Sequence, residues 1–299
     1  MSTGLSLVLF PVALGIVMLG LGLTLTVADF QRVVAYPRAV IVSLVCQMLI
    51  LPAICLGLVL AADLRPELAV GMMLLAASPG GSTASLYSHL FKGNVALNVT
   101  LTAINSVLAL FTLPLIVNLS VAAFMGSGSS LGLQFDKVLQ VFALVLVPIT
   151  IGMLVRSRRP AFAARMQKSV KILSVVVLVV VIIGAVLGVK DELAATIGAV
   201  GLVALLFNLL SLAIGYAAPR LLRVGHRDSV ASSFEIGVHN ATLAITIALS
   251  PALLDNTDIA MPPAIYGILM FFTAAAFGVV AARRGSASTG PTPEPTRAG

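Results

Sequence analysis

The sequence predicts an all-α protein that crosses a lipid bilayer many times. Of its 299 residues, 59% are hydrophobic and only 10% are charged, and the mean hydropathy is +1.11. Soluble domains carry roughly a quarter charged residues. The chain also contains a series of apolar stretches, each close to the ~20 residues that a helix needs to cross ~30 Å of hydrocarbon. These observations exclude a soluble domain.

Charged loops separate nine such stretches, which we predict to be transmembrane helices. They lie near residues 5–27, 38–61, 68–86, 94–123, 138–155, 172–189, 194–219, 229–250 and 262–282. No basic segment precedes the first stretch, so we do not interpret it as a cleaved signal peptide. Residues 285–299 are rich in Gly, Ser, Thr and Pro and are predicted to form a disordered cytoplasmic tail, which leaves 1–284 as the membrane domain.

The distribution of basic residues predicts the orientation of these helices. If the N-terminus is outside, fifteen of the eighteen Lys and Arg residues fall in inner loops, and only Arg65, Lys137 and Lys190 lie outside. Cytoplasmic loops of membrane proteins are enriched in Lys and Arg. The sequence therefore predicts an outer N-terminus and a cytoplasmic C-terminus. The same rule explains the net charge of +7 without nucleic-acid binding.

Two of the predicted helices are interrupted, and their interruptions correspond. The third stretch contains SPGGSTASL (78–86) and the eighth contains EIGVHNATL (235–243). An offset of 157 residues aligns a Gly, an Ala, a hydroxyl residue and a Leu, at positions 80, 84, 85 and 86 against 237, 241, 242 and 243. The same offset pairs helices that run in opposite directions, which predicts an inverted repeat of four plus five helices. Inverted repeats with broken helices are typical of secondary transporters; kinked structural helices are the alternative.

Glu235 is the only charged residue inside a predicted span. A carboxylate at mid-bilayer costs about 2.5–3.5 kcal/mol on insertion scales. Because no Lys or Arg lies in the interior of any predicted span, we expect a bound cation or a proton to take the place of a basic partner. The alternative is a protonated carboxyl group that is hydrogen-bonded inside the helix bundle.

Hydroxyl and amide side chains cluster in sequence around the two interruptions and Glu235. They are Gln47, Ser82, Thr83, Ser85, Asn98, Thr102, Asn105, His239, Asn240 and Thr242. Neutral oxygens with one carboxylate are ligands typical of a hard cation. Freed N–H groups and the positive ends of half-helices suit an anionic substrate. Cys46 and Cys55 lie in one apolar stretch and are predicted to be packing residues rather than a disulfide or a metal site.

Three runs of sequence carry a family resemblance: MLGLGLTLTVADF, SPGGSTASLYSHLFKGNVALNVTLTAINSVLA and FEIGVHNATLAITIA. They resemble the bile acid:sodium symporter family, over most of residues 10–282. The resemblance implies a core domain with two crossing broken helices (spans near 38–123 and 194–282). It also implies a panel domain that moves against the core (spans near 5–27 and 138–189). Members have ten spans, or nine when the first helix is missing.

The resemblance implies a first sodium site, here called site one, formed by Ser85, Asn98, Thr102 and Glu235. Ser85 stands where the family usually has Asn, and Asn98 stands where it usually has Ser. Ala84 replaces a further Ser of the family pattern and offers only its carbonyl.

A second implied sodium site, here called site two, consists of Gln47, Glu235, the carbonyls of Ile236 and Val238, and His239. His239 replaces the usual Gln. A histidine ring ordinarily titrates near pH 6.5, so it can gain or lose a proton close to physiological pH. Proton coupling through Glu235 and His239 is therefore the alternative to sodium.

The resemblance implies sodium-coupled symport of a small organic anion by alternating access, in a bacterial inner (plasma) membrane, with Gly80, Gly81, Ser82 and Asn240 at the substrate. Na⁺ is co-transported, and we expect no cofactor. A non-transporting receptor or scaffold is the other alternative. We find no HExxH motif and no Ser/His/Asp arrangement, so an enzyme is not predicted. The substrate and the oligomeric state stay open.

Overall fold

The computed structural model describes residues 12, 15–126, 135–166, 169, 172–173, 193–251 and 253–287. Every named secondary-structure element in these ranges is a helix, which confirms the predicted all-α class for this part of the chain. Backbone that crosses hydrocarbon must satisfy its own hydrogen bonds, and a helix does so within one segment. The predicted sixth span lies almost wholly outside the described residues, as does the tail beyond residue 287.

The named helices are α1 (Gly15–Gly22), α2 (Val27–Gln31), α3 (Pro37–Ala61), α4 (Pro66–Ala77), α5 (Ser82–Leu90), α6 (Val95–Phe124), α7 (Phe135–Arg158), α8 (Leu193–Leu221), α9 (His226–Gly237), α10 (Ala241–Leu249) and α11 (Thr257–Ala287). A 3₁₀ turn, Arg32–Ala35, follows α2, and α3 contains one π-helical turn, Cys46–Ile50. Residues 160–166 form a further short helix.

Among the described residues, four helices are long and apolar enough to cross a membrane: Pro37–Ala61, Val95–Phe124, Val200–Leu221 and Thr257–Arg284. A fifth candidate is the pair formed by α1 and the segment Val27–Ala35, which are bent by 70° relative to each other. The count of nine spans and the panel domain stay predictions.

The first predicted stretch ends earlier in the structure than its apolar composition indicated. We predicted 5–27, but α1 ends at Gly22 and a new helix begins after Thr26. The Thr26 N–H and hydroxyl both donate to Asp29 Oδ2, each at 2.7 Å. This acidic residue three positions after Thr26 is a helix-start signal that outweighs the continuing apolar run.

Both predicted interruptions are present, between α4 and α5 and between α9 and α10. Pro79 has no N–H to donate, and the adjacent glycines favour an irregular backbone. The two breaks meet: Asn240 N donates to Pro79 O at 2.8 Å, and Gly80 forms an antiparallel bridge with His239. We call this region, residues 78–81 and 238–240, the crossing. Each broken segment therefore supplies hydrogen-bond partners that the other lacks.

The residues that the offset of 157 pairs do not lie opposite each other at the crossing. The offset of 157 paired Gly80 with Gly237, but Gly80 lies within its break whereas Gly237 is the last residue of α9. At the crossing, Gly80 lies opposite His239. The relation of the two halves as an inverted repeat stays a prediction.

The broken helices form the centre of the described core, and the long helices enclose them. Every residue of α4 from Leu68 onwards and of α9 from Ser229 onwards is buried. By contrast, α3 and α6 expose large apolar side chains such as Leu49, Leu60 and Phe111. A helix that is buried on all sides has no lipid-facing stripe, so the crossing is shielded from the surrounding hydrocarbon.

The loops group as the charge distribution predicts. Arg227 Nε donates to Lys92 O at 3.3 Å, and Asn94 Nδ2 donates to Asp228 Oδ1 at 2.7 Å, so two predicted inner loops touch. Two predicted outer loops are joined by an ion pair between Arg65 and Asp258 at 3.6 Å. The cytoplasmic identity of the inner end stays a prediction.

Candidate functional site

Glu235 lies in the last turn of α9, directly before the crossing, and is completely buried. Two side chains of α6 donate to its carboxylate: Thr102 Oγ1 to Oε2 at 2.6 Å, and Asn105 Nδ2 to Oε1 at 3.2 Å. The backbone of Gly80 packs against the same carboxylate. All three groups are neutral, so the buried charge has hydrogen bonds but no positive partner among them.

Position 80 needs a glycine because the Glu235 carboxylate packs directly against its backbone. A Cβ at this position would lie 2.6 Å from Glu235 Cδ and 2.6 Å from Glu235 Oε1. Any side chain there would displace the carboxylate, because real Cβ atoms do not approach other heavy atoms so closely. The first break thus packs its bare backbone directly onto the charged group of α9.

The remaining residues of site one lie about one helical turn from Glu235. Ser85 Oγ donates to Asn98 Oδ1 at 2.7 Å, and Asn98 Nδ2 donates to Ala231 O at 2.9 Å. Asn98 is four residues before Thr102 on α6, so both face α9. The structure therefore brings Thr102 to Glu235 directly and places Ser85 and Asn98 beside it as a hydrogen-bonded pair.

Site two begins at the π-helical turn of α3, which carries Gln47. Gln47 Nε2 donates to Ala76 O at 3.2 Å and to Ser78 O at 3.3 Å. Because both partners are carbonyls, the nitrogen of the amide must face them, and its oxygen is left as an acceptor. A single π turn is often found at functional sites; here it directs a polar side chain to the first break.

His239 lies in the second break, with its ring stacked on Phe207 at 5.6 Å and packed against Tyr266 at 5.5 Å between centroids. Its Nδ1 is 3.0 Å from Ser78 O. A carbonyl only accepts, so Nδ1 carries the proton and Nε2 of a neutral ring is an acceptor. Ile236 and Val238, whose carbonyls complete the predicted site, are buried on either side of Gly237.

Unpaired acceptors are concentrated at the crossing. Five buried side-chain atoms in the described ranges lack a hydrogen-bond partner, and three of them are Gln47 Oε1, Asn105 Oδ1 and His239 Nε2. Each unpaired buried group costs about 1–3 kcal/mol. Their residues contact either Glu235 or the shared carbonyl of Ser78. This region therefore has more acceptors than donors, which is the arrangement that a cation satisfies.

A cavity borders the crossing. Its wall comes from α1 and α7 on one side and from the crossing, α6 and α10 on the other, through Met18, Leu21, Pro79, Ser106, Ala109, Leu110, Leu113, Val145, Ile149, Asn240, Leu243 and Ile247. None of these lining residues is charged, and only Ser106 and Asn240 carry polar side chains. The cavity thus offers an apolar chamber with a polar wall at the crossing.

The four residues predicted at the substrate fall into different places. Asn240 lines the cavity and caps α10, since its Oδ1 accepts from Leu243 N at 3.0 Å. Gly81 lies next to Asn240, and Ser82 is the first residue of α5. Gly80 instead packs on Glu235.

Sequence reasoning left two contacts of the site unassigned. Asn105 was part of the polar cluster, but only the structure shows that it bonds Glu235; its position three residues after Thr102, on the same helix face, was the available signal. The carbonyl of Ser78, which accepts from both Gln47 and His239, had no side-chain signal at all.

The amino-acid sequence is similar to those of known proteins. The model of the Sodium Bile acid symporter family matches residues 11–214. The "Uncharacterized sodium-dependent transporter YocS" of Bacillus subtilis (strain 168) is 31% identical over 235 residues, which cover 79% of this chain and 72% of that protein. The "Probable sodium/metabolite cotransporter BASS2, chloroplastic" of Oryza sativa subsp. japonica is 29% identical over 285 residues, or 95% of this chain and 66% of that protein. The human "Ileal sodium/bile acid cotransporter" is 25% identical over 279 residues, or 93% and 79%.

Proposed function

Because the chain belongs to the sodium bile acid symporter family, we propose that it is a secondary active transporter that carries a small organic anion together with Na⁺ by alternating access. The family consists of sodium-coupled transporters and not of enzymes. The observation that carries the proposal is Glu235, a fully buried carboxylate whose hydrogen bonds come from neutral groups. A co-transported Na⁺ supplies the missing positive charge.

Two sodium ions are proposed to bind around Glu235. Site one would use the carboxylate with Ser85, Asn98 and Thr102. Site two would use the same carboxylate with Gln47, the carbonyls of Ile236 and Val238, and His239. Their hydroxyl, amide and carbonyl oxygens suit a hard cation, and Gln47 Oε1 and His239 Nε2 are both without a partner.

The organic anion is proposed to bind in the cavity beside the crossing, with its charged group at the start of α5. No side chain caps α5, whereas Asn240 caps α10. The first N–H groups of a helix carry a partial positive charge of about +0.5. They are the natural partners for the anion, since none of the described lining residues is basic. The aliphatic walls would hold the apolar body of the substrate.

The energetics follow from charge movement. Two Na⁺ ions and one monovalent anion carry one net positive charge inward, which at ~100 mV supplies about 2.3 kcal/mol in addition to the sodium gradient. This direction requires the proposed orientation, with an outer N-terminus and a cytoplasmic C-terminus in a bacterial inner membrane. The contact between the Lys92 and Arg227 loops supports a common side for these basic segments.

Uptake into proteoliposomes tests the proposal. A panel of labelled organic acids is offered under an inward Na⁺ gradient and, in parallel, under a matched K⁺ gradient. We expect accumulation of at least one anion with Na⁺ only, and faster accumulation when the interior is negative. Accumulation driven by an inward proton gradient in sodium-free buffer would instead indicate proton coupling through Glu235 and His239. No uptake of any acid, with no response to Na⁺, would favour a receptor or scaffold.

A further inference from the structure

Asn105 has an arrangement that hydrogen bonding to Glu235 alone does not explain. It is completely buried on α6, and its Nδ2 donates to Glu235 Oε1 at 3.2 Å. Because an ionised carboxylate only accepts, the nitrogen of the amide must face it. The amide oxygen Oδ1 is then left buried without a partner.

An unpaired buried oxygen destabilises the protein, because it gives up hydrogen bonds to water and gains none. A second donor or a cation would remove this penalty. Asn105 Oδ1 belongs to the same amide group that touches Glu235, so a cation held by the carboxylate lies within reach of it. Rotation about the bond between Cβ and Cγ exchanges the two ends of an amide and has broad, shallow preferences.

We propose that Asn105 is a ligand of the cation at Glu235 and that its amide group changes roles between two states. In the first state no cation is bound and its N–H group donates to the carboxylate. With the cation, its Oδ1 coordinates the ion. The inference rests on the proposed function, since it requires Na⁺ to bind at Glu235.

This exchange has a consequence for transport. An empty carrier must return across the membrane without a cation at Glu235. Thr102 and Asn105 of α6 are the donors that can stabilise the carboxylate in this step. The next residue, Ser106, lines the cavity and donates to Thr102 O at 2.7 Å. One turn of α6 therefore touches both the cation ligands and the proposed substrate cavity.

Cation binding can be measured without knowing the substrate. Cys46 and Cys55 are free and buried, so a thiol-reactive fluorogenic maleimide reports thermal unfolding of the purified protein in detergent. A ligand that binds only the native state raises the melting temperature. Na⁺ replaces K⁺ stepwise at constant ionic strength and at alkaline pH. The half-saturating Na⁺ concentration is read from the rise in melting temperature.

Two substitutions distinguish the role of the Asn105 amide oxygen from the role of its N–H donor. Asn105→Leu removes both, and we expect the half-saturating Na⁺ concentration to rise about tenfold, as for the loss of one hydrogen-bond-strength interaction with a charge. Asn105→Asp keeps an oxygen and removes the donor, and we expect a value within about threefold of wild type, since an oxygen ligand remains. Thr112→Val is the control, because the Thr112 hydroxyl bonds only to Leu108 O of its own helix.

The outcomes distinguish this inference from the proposed function. If wild type shows no Na⁺-specific shift, or if Glu235→Gln keeps the full shift, the proposed function is wrong. If wild type and Glu235→Gln behave as expected but Asn105→Leu binds Na⁺ as tightly as wild type, only the role of Asn105 is wrong. Equal weakening in the Leu and Asp variants would show that Asn105 is merely a donor to Glu235. Should Asn105→Leu not fold, a tenfold loss in Asn105→Asp overturns the inference by itself.

Discussion

The two sides of Glu235 use their polar groups differently. On the side of α6, Thr102 and Asn105 donate directly to the carboxylate. On the side of the crossing, Gln47 and His239 both donate to one backbone carbonyl, and their other polar atoms are buried without partners. Both sides consist of neutral groups, but only the α6 side contacts the carboxylate through side chains; the crossing contacts it through the backbone of Gly80.

This difference indicates how each side depends on a cation. The α6 side is already hydrogen-bonded around the carboxylate, so a cation there must replace existing bonds. The acceptors on the side of the crossing have no hydrogen bonds that a cation would need to replace, so a bound cation would only add contacts there. Each unpaired acceptor costs about 1–3 kcal/mol, which a bound ion recovers. We therefore expect substitutions on the two sides to change sodium dependence in different ways.

Loss of the shared carboxylate should have the largest effect. We expect Glu235→Ala to insert normally and to lose sodium-dependent uptake, by at least about 100-fold, because both proposed sites lose their only charge. Uptake of a transported acid into proteoliposomes is the measurement. Asp258→Asn is the control, since its ion pair with Arg65 is partly exposed and contributes little. Near wild-type uptake by correctly inserted Glu235→Ala would show that sodium-dependent transport does not require this carboxylate.

The two glycines of the first break should respond very differently to alanine. A Cβ at Gly80 would lie 2.6 Å from Glu235 O and Cδ, whereas the nearest atom to a Cβ at Gly81 is Asn240 Nδ2 at 3.9 Å. We expect Gly80→Ala to lower the free energy of unfolding by about 1–3 kcal/mol through overpacking, and Gly81→Ala to leave it nearly unchanged. Thermal melting in detergent measures both. A tolerated Gly80→Ala would mean that the carboxylate is not held against the crossing.

His239→Phe tests the side of the crossing by itself. Phe keeps the ring packing on Phe207 and Tyr266 but has no nitrogen to offer a cation. We expect the dependence of uptake on Na⁺ to change from sigmoidal to hyperbolic, with a half-saturating concentration at least about tenfold higher. His239→Gln, which restores an amide oxygen, should keep the sigmoidal dependence. An unchanged sodium curve in the Phe variant would place His239 outside the cation site.

Thr102→Val should have the smallest effect of the four. It preserves the shape of the side chain and removes the hydroxyl that donates to Glu235 Oε2. Because Thr102 is one neutral oxygen among several, we expect about a threefold rise in half-saturating Na⁺ and little change in maximal rate. Thr112→Val on the same helix is the matched control. Identical sodium curves for the two variants would assign Thr102 to helix packing.

Several features could be predicted from the sequence because hydrocarbon imposes one-dimensional rules. A spanning helix needs a fixed apolar length, so composition and spacing indicate the class. Pro79 and the two glycines that follow it predict a helix break from the local sequence alone. Glu235 stands out because the residues of its predicted span are otherwise uncharged. The end of α1 at Gly22 was missed because the local capping signal of Thr26 and Asp29 was hidden by a continuing apolar run.

The contacts of the site were decided by the tertiary structure. Thr102 and Asn105 are 133 and 130 residues away from Glu235 along the chain, so no local pattern pairs them with it. The same holds for the cavity, whose aliphatic lining has the composition of a lipid-facing helix surface. In water, an apolar face indicates the interior; in a bilayer, lipid and protein interior are equally apolar. The sequence by itself therefore determined that the chain spans the membrane and where its helices break, whereas only the packing of α6 against the crossing decided which neutral groups meet the buried carboxylate.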